Sequence, residues 1–455
     1  MYNLKKIFNP DTMAVIGVSL TNERHPANVI YNKNHLRYPV KTFPVNPKGG
    51  FIHREKVYKS VKDIPEEIDL AVIGVKAEYV PQVMIECIEA KVKGAVIISG
   101  GFAEVGKKDL QDKIVEIAKR NNFPFIGPNC LGLFNSTKVD SLFLPSERIV
   151  VPKKGNVAII SQSGGILIDQ MIKFKDEGIG LSIGVSIGNK ALIKEIDLLE
   201  YFEKDDDTEV IAFYIEGFGR GEGRKFVEFA EKCKKPIIVL KSGKTEDGAR
   251  AVSSHTASIA GDYKIFSEIL KQKGIIEAKT DFEFISFCEA LSCYKKKIGN
   301  NIAIITGSGG HGSIAVDECK KYGFNVPQLN EDKKIALKNR LTPSVKEIAS
   351  LNNPIDLTGS ATDKDFIEVC EFLAKQENID CIILLLLPYL PGISLDLSVR
   401  LSSIVNETGK PLISYIPHIE KYQMLIEGFE FNSIPVSPSV EGAVLMASAL
   451  KRRKI

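Results

Sequence analysis

Short, uninterrupted apolar runs alternate with amphipathic stretches along almost the whole chain, and that alternation leaves few folds open. The first runs lie at 14–18, 43–45, 70–75, 95–98 and 125–127, with helical patterns at 80–90 and 108–120 between the later ones. A run without polar alternation is a strand buried on both faces. Strand–helix–strand repetition of such runs predicts parallel sheets with helices on both sides. The pattern then restarts twice. Segment 137–154, with Pro145, Pro152 and Lys153-Lys154, reads as an irregular linker. After it come apolar runs at 157–160, 183–187, 210–215 and 237–240, and a helix is expected over 282–294. A third set opens at 302–305 and continues through 381–387 and 412–416. The length of 455 residues agrees, at about 150 residues per domain. The expectation is an α/β chain of three doubly wound parallel-sheet domains, 1–136, 150–298 and 299–455.

Composition narrows the partners. With 60 Lys+Arg against 57 Asp+Glu the net charge is +3, so no whole-molecule field draws nucleic acid or an anionic membrane. The basic end Lys451-Arg452-Arg453-Lys454 reads as a solvated terminus. The longest conspicuous apolar run, 381–387, stops at Pro388, well short of the roughly 20 residues of a membrane span. The opening residues Met1 to Lys6 lead into a strand pattern without a leader-like cleavage site. The eight cysteines contain no C-x-x-C, which argues against a zinc site or a disulfide framework. No metal site is expected, and reduced thiols fit a cytoplasmic protein.

Ligands of doubly wound sheets bind where strand ends meet helix N-termini, so glycine-rich strand-to-helix turns are the places to look. The first is Val15-Ile16-Gly17-Val18-Ser19. The full G-x-G-x-x-G of a dinucleotide site is absent. After the next strand comes Asn46-Pro47-Lys48-Gly49-Gly50 instead of an acidic residue. An ammonium suits a phosphate better than a ribose diol, which disfavours NAD. Spacing alone leaves a phosphate turn and an ordinary βα turn both open. The second turn is Ser161-Gln162-Ser163-Gly164-Gly165, where a plain serine cap is the bland alternative. The third is Thr306-Gly307-Ser308-Gly309-Gly310-His311-Gly312. Four glycines in six residues exceed what capping needs, permit positive φ and favour an anion site. There is no Walker loop.

A fourth segment carries a candidate nucleophile. Ser253-Ser254-His255-Thr256-Ala257 places one of only six histidines among small residues, in what reads as a loop. A phosphoryl carrier needs an accessible imidazole and a carboxylate to hold its other ring N–H. Ile215-Glu216-Gly217 offers a glutamate at a strand end on the same sheet edge. Spacing alone also leaves open an ordinary polar loop residue.

These segments carry a resemblance. Ser253-Ser254-His255-Thr256-Ala257, Ile126-Gly127-Pro128-Asn129-Cys130-Leu131-Gly132, Ser161-Gln162-Ser163-Gly164-Gly165, Tyr214-Ile215-Glu216-Gly217 and Asn353-Pro354-Ile355-Asp356-Leu357 occur in one order over essentially the whole chain. The chain resembles the α subunit of the NDP-forming acyl-CoA synthetases, the archaeal-type ADP-forming acetyl-CoA synthetases related to succinyl-CoA synthetase. The resemblance implies a Rossmann-like CoA-binding domain followed by two flavodoxin-like domains. It implies that His255 is the phosphorylated histidine and Glu216 its supporting carboxylate. Ser161, Ser163, Gly164 and Gly165 would form one phosphate-binding helix start, and Gly309 and Gly310 a second. Gly17, Ser19, Lys48, Pro128 and Asn129 would bind coenzyme A. ADP/ATP and Mg²⁺ would be held by a separate ATP-grasp β subunit, in an α2β2 heterotetramer. One departure stands out: the third glycine loop carries His311, a rival phosphohistidine, where the family has an Asn-Ala-Gly-Gly-like stretch. The reaction implied is acyl-CoA + ADP + phosphate to acid + ATP + CoA. Succinate, a branched acid or an aryl acid would fit the same fold in place of acetate. A non-catalytic CoA-binding regulator is the rival from another class, but a sensor needs no phosphoryl carrier.

Overall fold

Three sheets with parallel cores, each containing an apolar strand that turns through glycine or serine into a helix, organise the chain. The computed structural model describes residues 2–454 apart from 256–261, and the side chains of 252–255 also lie outside the description. In the first part β1 (Thr12–Ile16) and β2 (Lys41–Val45) are followed by a small antiparallel hairpin, β3 (Gly50–Ile52) and β4 (Glu55–Val57). Then come β5 (Leu70–Ile73), β6 (Gly94–Ile97) and β7 (Phe125–Ile126). The sheet order is β2-β1-β5-β6-β7, with every pairing parallel. Every residue of β5 and β6 is buried, as the continuous apolar runs require.

The second sheet is assembled from β8 (Leu133–Asn135), β9 (Val139–Asp140), β10 (Lys154–Ser161), β11 (Leu181–Ser186), β12 (Val210–Ile215), β13 (Ile237–Lys241) and β14 (Ile276–Ala278), in the order β14-β13-β12-β10-β11-β8-β9. Its five parallel strands repeat the order of the first sheet. The antiparallel pair β8–β9 extends the β11 edge through Leu133 opposite Val185 and Phe134 opposite Gly184. Segment 137–154 is therefore not wholly an irregular linker. It supplies β9, a 3-10 turn at Ser146–Arg148 and the first residue of β10. Strands of two and three residues are too short to show a period, but Leu133, Phe134 and Val139 are fully buried.

Residues 1–279, which hold both of these sheets, form one compact unit, and 280–455 form a second. Within the first unit a buried ion pair joins the helix Pro26–Arg37 to β9: Lys33 Nζ lies 2.9 Å from Asp140 Oδ2, with both side chains 4% exposed or less. Asn34 Oδ1 accepts the Asp140 N–H at 2.9 Å, and its Nδ2 donates to the Asp140 carbonyl at 2.6 Å.

The second unit is built on β15 (Ile302–Thr306), β16 (Ile355–Asp356), β17 (Cys381–Leu385), β18 (Leu412–Tyr415) and β19 (Val436–Ser437), ordered β16-β15-β17-β18-β19. The edge strand β16 has only two residues. The buried Asn353 extends its hold on β15, accepting the Ile304 N–H at 2.9 Å and donating to the Ile302 carbonyl at 2.9 Å. That gives one quoted motif, Asn353 to Leu357, a structural use. The helix Asp281–Cys293 packs on the helix Val440–Arg452 in this unit, although it precedes residue 298, where the sequence reading ends the second domain. Among the described residues no helix is long and apolar enough to cross a membrane.

Candidate functional site

A 2-1-3-4-5 strand order leaves a crevice where the first and third strands send their helices to opposite faces. In the second sheet these are β10 and β12, and their carboxyl ends lead into Gln162–Gly165 and Glu216-Gly217. The turn after β10 is made by hydroxyls. Ser161 Oγ donates to the Ser163 carbonyl at 2.6 Å and accepts the Ser163 N–H at 3.1 Å. Ser163 then caps the helix Gly164–Asp176, its Oγ accepting the Ile166 N–H at 3.4 Å. A cap of this kind leaves the positive end of the helix at the crevice. Around Gly165 there is open space where a Cβ would go, whereas at Gly164 a Cβ would come within 2.9 Å of Leu131 Cβ.

Glu216 follows β12 and is half-buried. Its peptide is held by side chains from the strands on either side. Gln162 Oε1 accepts the Glu216 N–H at 2.6 Å and the Gly217 N–H at 3.1 Å. Lys241, the last residue of β13, donates from Nζ to the Glu216 carbonyl at 2.7 Å and also to the Ser242 carbonyl. The Gln162 amide donates in turn to the Gly217 carbonyl at 2.8 Å and to Glu195. Lys190 donates to the same Gly217 carbonyl at 2.6 Å and to Glu195 Oε1 at 2.7 Å. Glu195 is 1% exposed, and Lys190 pairs with it.

The opposite wall comes from the carboxyl edge of the first sheet. Asn129 donates its N–H to the Ser99 carbonyl at 2.9 Å, and its Nδ2 reaches Asn189 Oδ1 at 3.2 Å. The Asn189 amide donates to Gln111 at 2.9 Å and to Glu104 at 2.5 Å. Burial alone would raise the Glu104 carboxyl. Hydrogen bonds from Asn189 and from the Gly101 and Phe102 N–H groups win and hold it below the ordinary value. Gly188, at φ +51°, lies so close that a Cβ would come within 2.2 Å of the Asn129 carbonyl oxygen. Between these walls is a cavity of about 400 Å³ whose lining includes Asn129, Gln162, Ser163, Gly164, Gly165 and Glu216. Cys130 also lines it but is no nucleophile. Burial pushes its thiol up to about 12, and Sγ donates to the Ile97 carbonyl at 3.3 Å.

The sequence-derived candidates thus divide. Ser163, Gly164, Gly165, Glu216 and Asn129 meet on one cavity, with Ser161 buried beneath it, and the Pro128 carbonyl accepts the Asn189 N–H at 2.9 Å behind the wall. Gly17, Ser19 and Lys48 lie at a different corner, beyond β1 and β2. Gly17, at φ +103°, crosses the β5 turn so closely that a Cβ would fall 2.4 Å from the Gly74 carbonyl oxygen. Ser19 exchanges backbone hydrogen bonds with the Asn28 amide, and Lys48 is exposed in a turn whose Asn46 Nδ2 donates to the Val18 carbonyl at 2.6 Å. In the second unit Gly309 and Gly310 are exposed at the start of the helix Gly309–Lys321. None of the four glycines of that turn has a positive φ, so the conformations that glycine permits are not used there. Gly312 gives space to Pro354 instead, a Cβ there meeting Pro354 Cβ at 3.1 Å. His311 is half-buried, its ring centroid 5.7 Å from that of Tyr415.

His255 ends a helix, Glu246–His255, rather than sitting in a loop; its side chain lies outside the described residues. Sequence reasoning missed Gln162, Lys190, Glu195 and Lys241. Gln162 was in view within Ser161-Gln162-Ser163, but nothing local shows that its amide spans two strand ends. Among the described residues no cluster of His, Cys, Asp and Glu is arranged to hold a metal.

Residues 11–136 match the family described as CoA binding domain, and 154–291 the succinyl-CoA ligase like flavodoxin domain. The two domains together define a protein of the succinyl-CoA ligase-like class. The chain is 39% identical to the α subunit of acetate–CoA ligase (ADP-forming) I of Pyrococcus furiosus, over 98% of this chain and 97% of that one. It is 43% identical to acetate–CoA ligase (ADP-forming) of Methanocaldococcus jannaschii over 79% of this chain, and that match spans only 50% of the relative's length. Its structure is similar to that of dinucleotide-forming acetyl-coenzyme A synthetase 1 of Candidatus Korarchaeum cryptofilum, solved with phosphate and ADP. The TM-score is 0.90 at 33% identity, covering 100% of this chain and 97% of that one. The chain belongs to the ADP-forming acetate–CoA ligase family, on the scale of its α subunits.

Proposed function

We propose that this chain is the α subunit of an ADP-forming acetyl-CoA synthetase and performs the acyl and first phosphoryl steps. A phosphate oxygen attacks the thioester carbonyl; the C–S bond breaks, giving acyl phosphate and CoA thiolate. A ring nitrogen of His255 attacks phosphorus; the P–O bond to the acyl group breaks and the carboxylate leaves. ADP then takes the phosphoryl group as the P–N bond breaks, on a separate ATP-grasp β subunit that binds ADP/ATP with Mg²⁺, in an α2β2 heterotetramer in the cytoplasm. Glu216 holds the other ring N–H, and Ser161, Ser163, Gly164 and Gly165 present a helix start to the phosphoryl group, a favourable place for an anion. We assign coenzyme A to the 1–136 domain through Gly17, Ser19, Lys48, Pro128 and Asn129. The 150–298 domain carries the phosphohistidine, and the 299–455 domain supplies a second helix start at Gly309 and Gly310.

The observation that carries this reading is the cavity on which Glu216 and the capped helix of Ser163 converge, lined by Asn129 from the first sheet. The test supplies the purified chain with acetyl-CoA and labelled phosphate. It should label itself on His255 with an acid-labile, base-stable phosphoramidate, which ADP removes only once the β subunit is added. Rapid ATP formation by the chain alone, or label on His311, overturns it.

A further inference from the structure

The turn that presents Glu216 is held by more than the sheet ladder. The main-chain N–H and carbonyl of Glu216 are each taken by a side chain from a different neighbouring strand. The N–H goes to Gln162 at the end of β10, at 2.6 Å, and the carbonyl to Lys241 at the end of β13, at 2.7 Å. Both neighbours are nearly out of solvent, at 6% and 4% exposure. The orientation of the Gln162 amide is forced. Its oxygen faces two N–H donors and its nitrogen faces a carbonyl and the Glu195 carboxylate, so turning it over would set like against like at all four contacts. Glu195 cannot drift either, because Lys190 holds it and donates to the Gly217 carbonyl as well.

We propose that Gln162 and Lys241 are positioning residues for Glu216, clamping its peptide from the two adjacent strand ends so that its carboxylate is presented to the cavity in one place. The proposal rests on the reading of Glu216 as the carboxylate that steadies the phosphohistidine. Neither side chain is assigned contact with substrate. A polar network of this kind, satisfied at every member, fixes one arrangement of the turn. A carboxylate that must meet a ring N–H at hydrogen-bond distance loses its effect when its backbone shifts by an ångström.

Two readouts on the full chain separate the clamp from the reading beneath it. The first needs no turnover. Gln162→Leu should speed amide hydrogen exchange at Glu216 and Gly217 about tenfold or more, with exchange in the middle of β10 as in the parent. Unchanged exchange overturns the clamp. The second is the rate of labelling on His255 from acetyl-CoA and labelled phosphate. Gln162→Leu and Lys241→Met should each slow it about 10–100-fold with KM for acetyl-CoA within about twofold, and Lys241→Arg should restore most of the rate. In a Glu216→Gln background neither change should slow labelling further. An equal additional loss there shows that the two residues act independently of Glu216 and overturns the proposal. Parent-rate labelling by Glu216→Gln alone instead overturns the catalytic reading of Glu216 and the positioning role with it, while the exchange result still decides whether the clamp exists. Lys241→Met, which keeps the stem and removes only the ammonium, carries both readouts if Gln162→Leu does not fold.

Discussion

Lys241 is a lysine at the end of a buried strand, and burial pushes its ammonium down to about 8 against the pull of the Glu216 charge, with Lys244 adding a small push in the same direction as burial. Those two groups, the Tyr214 phenol on β12 and the Lys190–Glu195 pair at the Gly217 carbonyl are titratable neighbours of the turn it holds. Labelling of His255 should therefore fall as pH rises through about 8, and Lys241→Arg, still charged there, should keep it level. Stability moves the other way. Between about 8 and the ordinary lysine value the unfolded chain holds more protons than the folded one, so this group's contribution to stability rises with pH. A falling rate with a thermal midpoint that does not fall identifies loss of the clamp rather than unfolding. At the carboxylate itself, Glu216→Gln should slow phosphoryl transfer about 10²–10⁴-fold, by comparison with other histidine–carboxylate pairs. His255→Ala should abolish labelling and turnover while coenzyme A still binds, as equilibrium binding would show.

Among the elements, the helix Pro26–Arg37 and strand β9 are joined by charge rather than by area alone. The Lys33–Asp140 pair is dry, so burial pushes the Lys33 ammonium down and the Asp140 carboxyl up, each opposed by the other's charge. Lys33→Met would strand the Asp140 charge and should cost about 3–5 kcal/mol in chemical denaturation, whereas Lys33→Met with Asp140→Leu should recover much of it. The helix Gly164–Asp176 carries a smaller strain at its far end. Burial, helped by Asp176, raises the Glu177 carboxyl to about 7. A carboxyl raised in the folded state costs stability as pH climbs from the ordinary glutamate value through about 7, and the full cost is present above that. Glu177→Gln should raise the thermal midpoint at pH 8 and leave it unchanged at pH 4, an effect on the order of 1 kcal/mol.

For the whole molecule, three buried clusters among the described residues each stay within one unit. Two draw all their buried members from 4–275, and a third draws all of its own from 303–436. A fragment of residues 280–455 should therefore fold alone and unfold in one cooperative transition, checked by circular dichroism against denaturant. A broad, non-cooperative profile would show that it needs the rest of the chain.

The amino-acid sequence by itself determined the three sheets with parallel cores, most of their strands and the turns worth inspecting, though not the small β3–β4 hairpin. Continuous apolar runs need burial on both faces, and serine or glycine at a strand end is local chemistry; both are written in consecutive residues. Tertiary structure decided what depends on register between distant segments. Leu133 and Val139 belong to strands too short to show a period, and they find their place only against β11. The Asn353 motif is an edge-strand staple because of where β15 passes. Ser163 and Glu216 share a cavity because the strand order places β10 beside β12, while Gly17 and Lys48 follow β1 and β2 of the first sheet. Gln162 and Lys241 read in sequence as a polar turn residue and a strand-end lysine. Their partner is the peptide of Glu216, more than 50 residues from one and 25 from the other, and only the pairing of β12 with both β10 and β13 brings the three together.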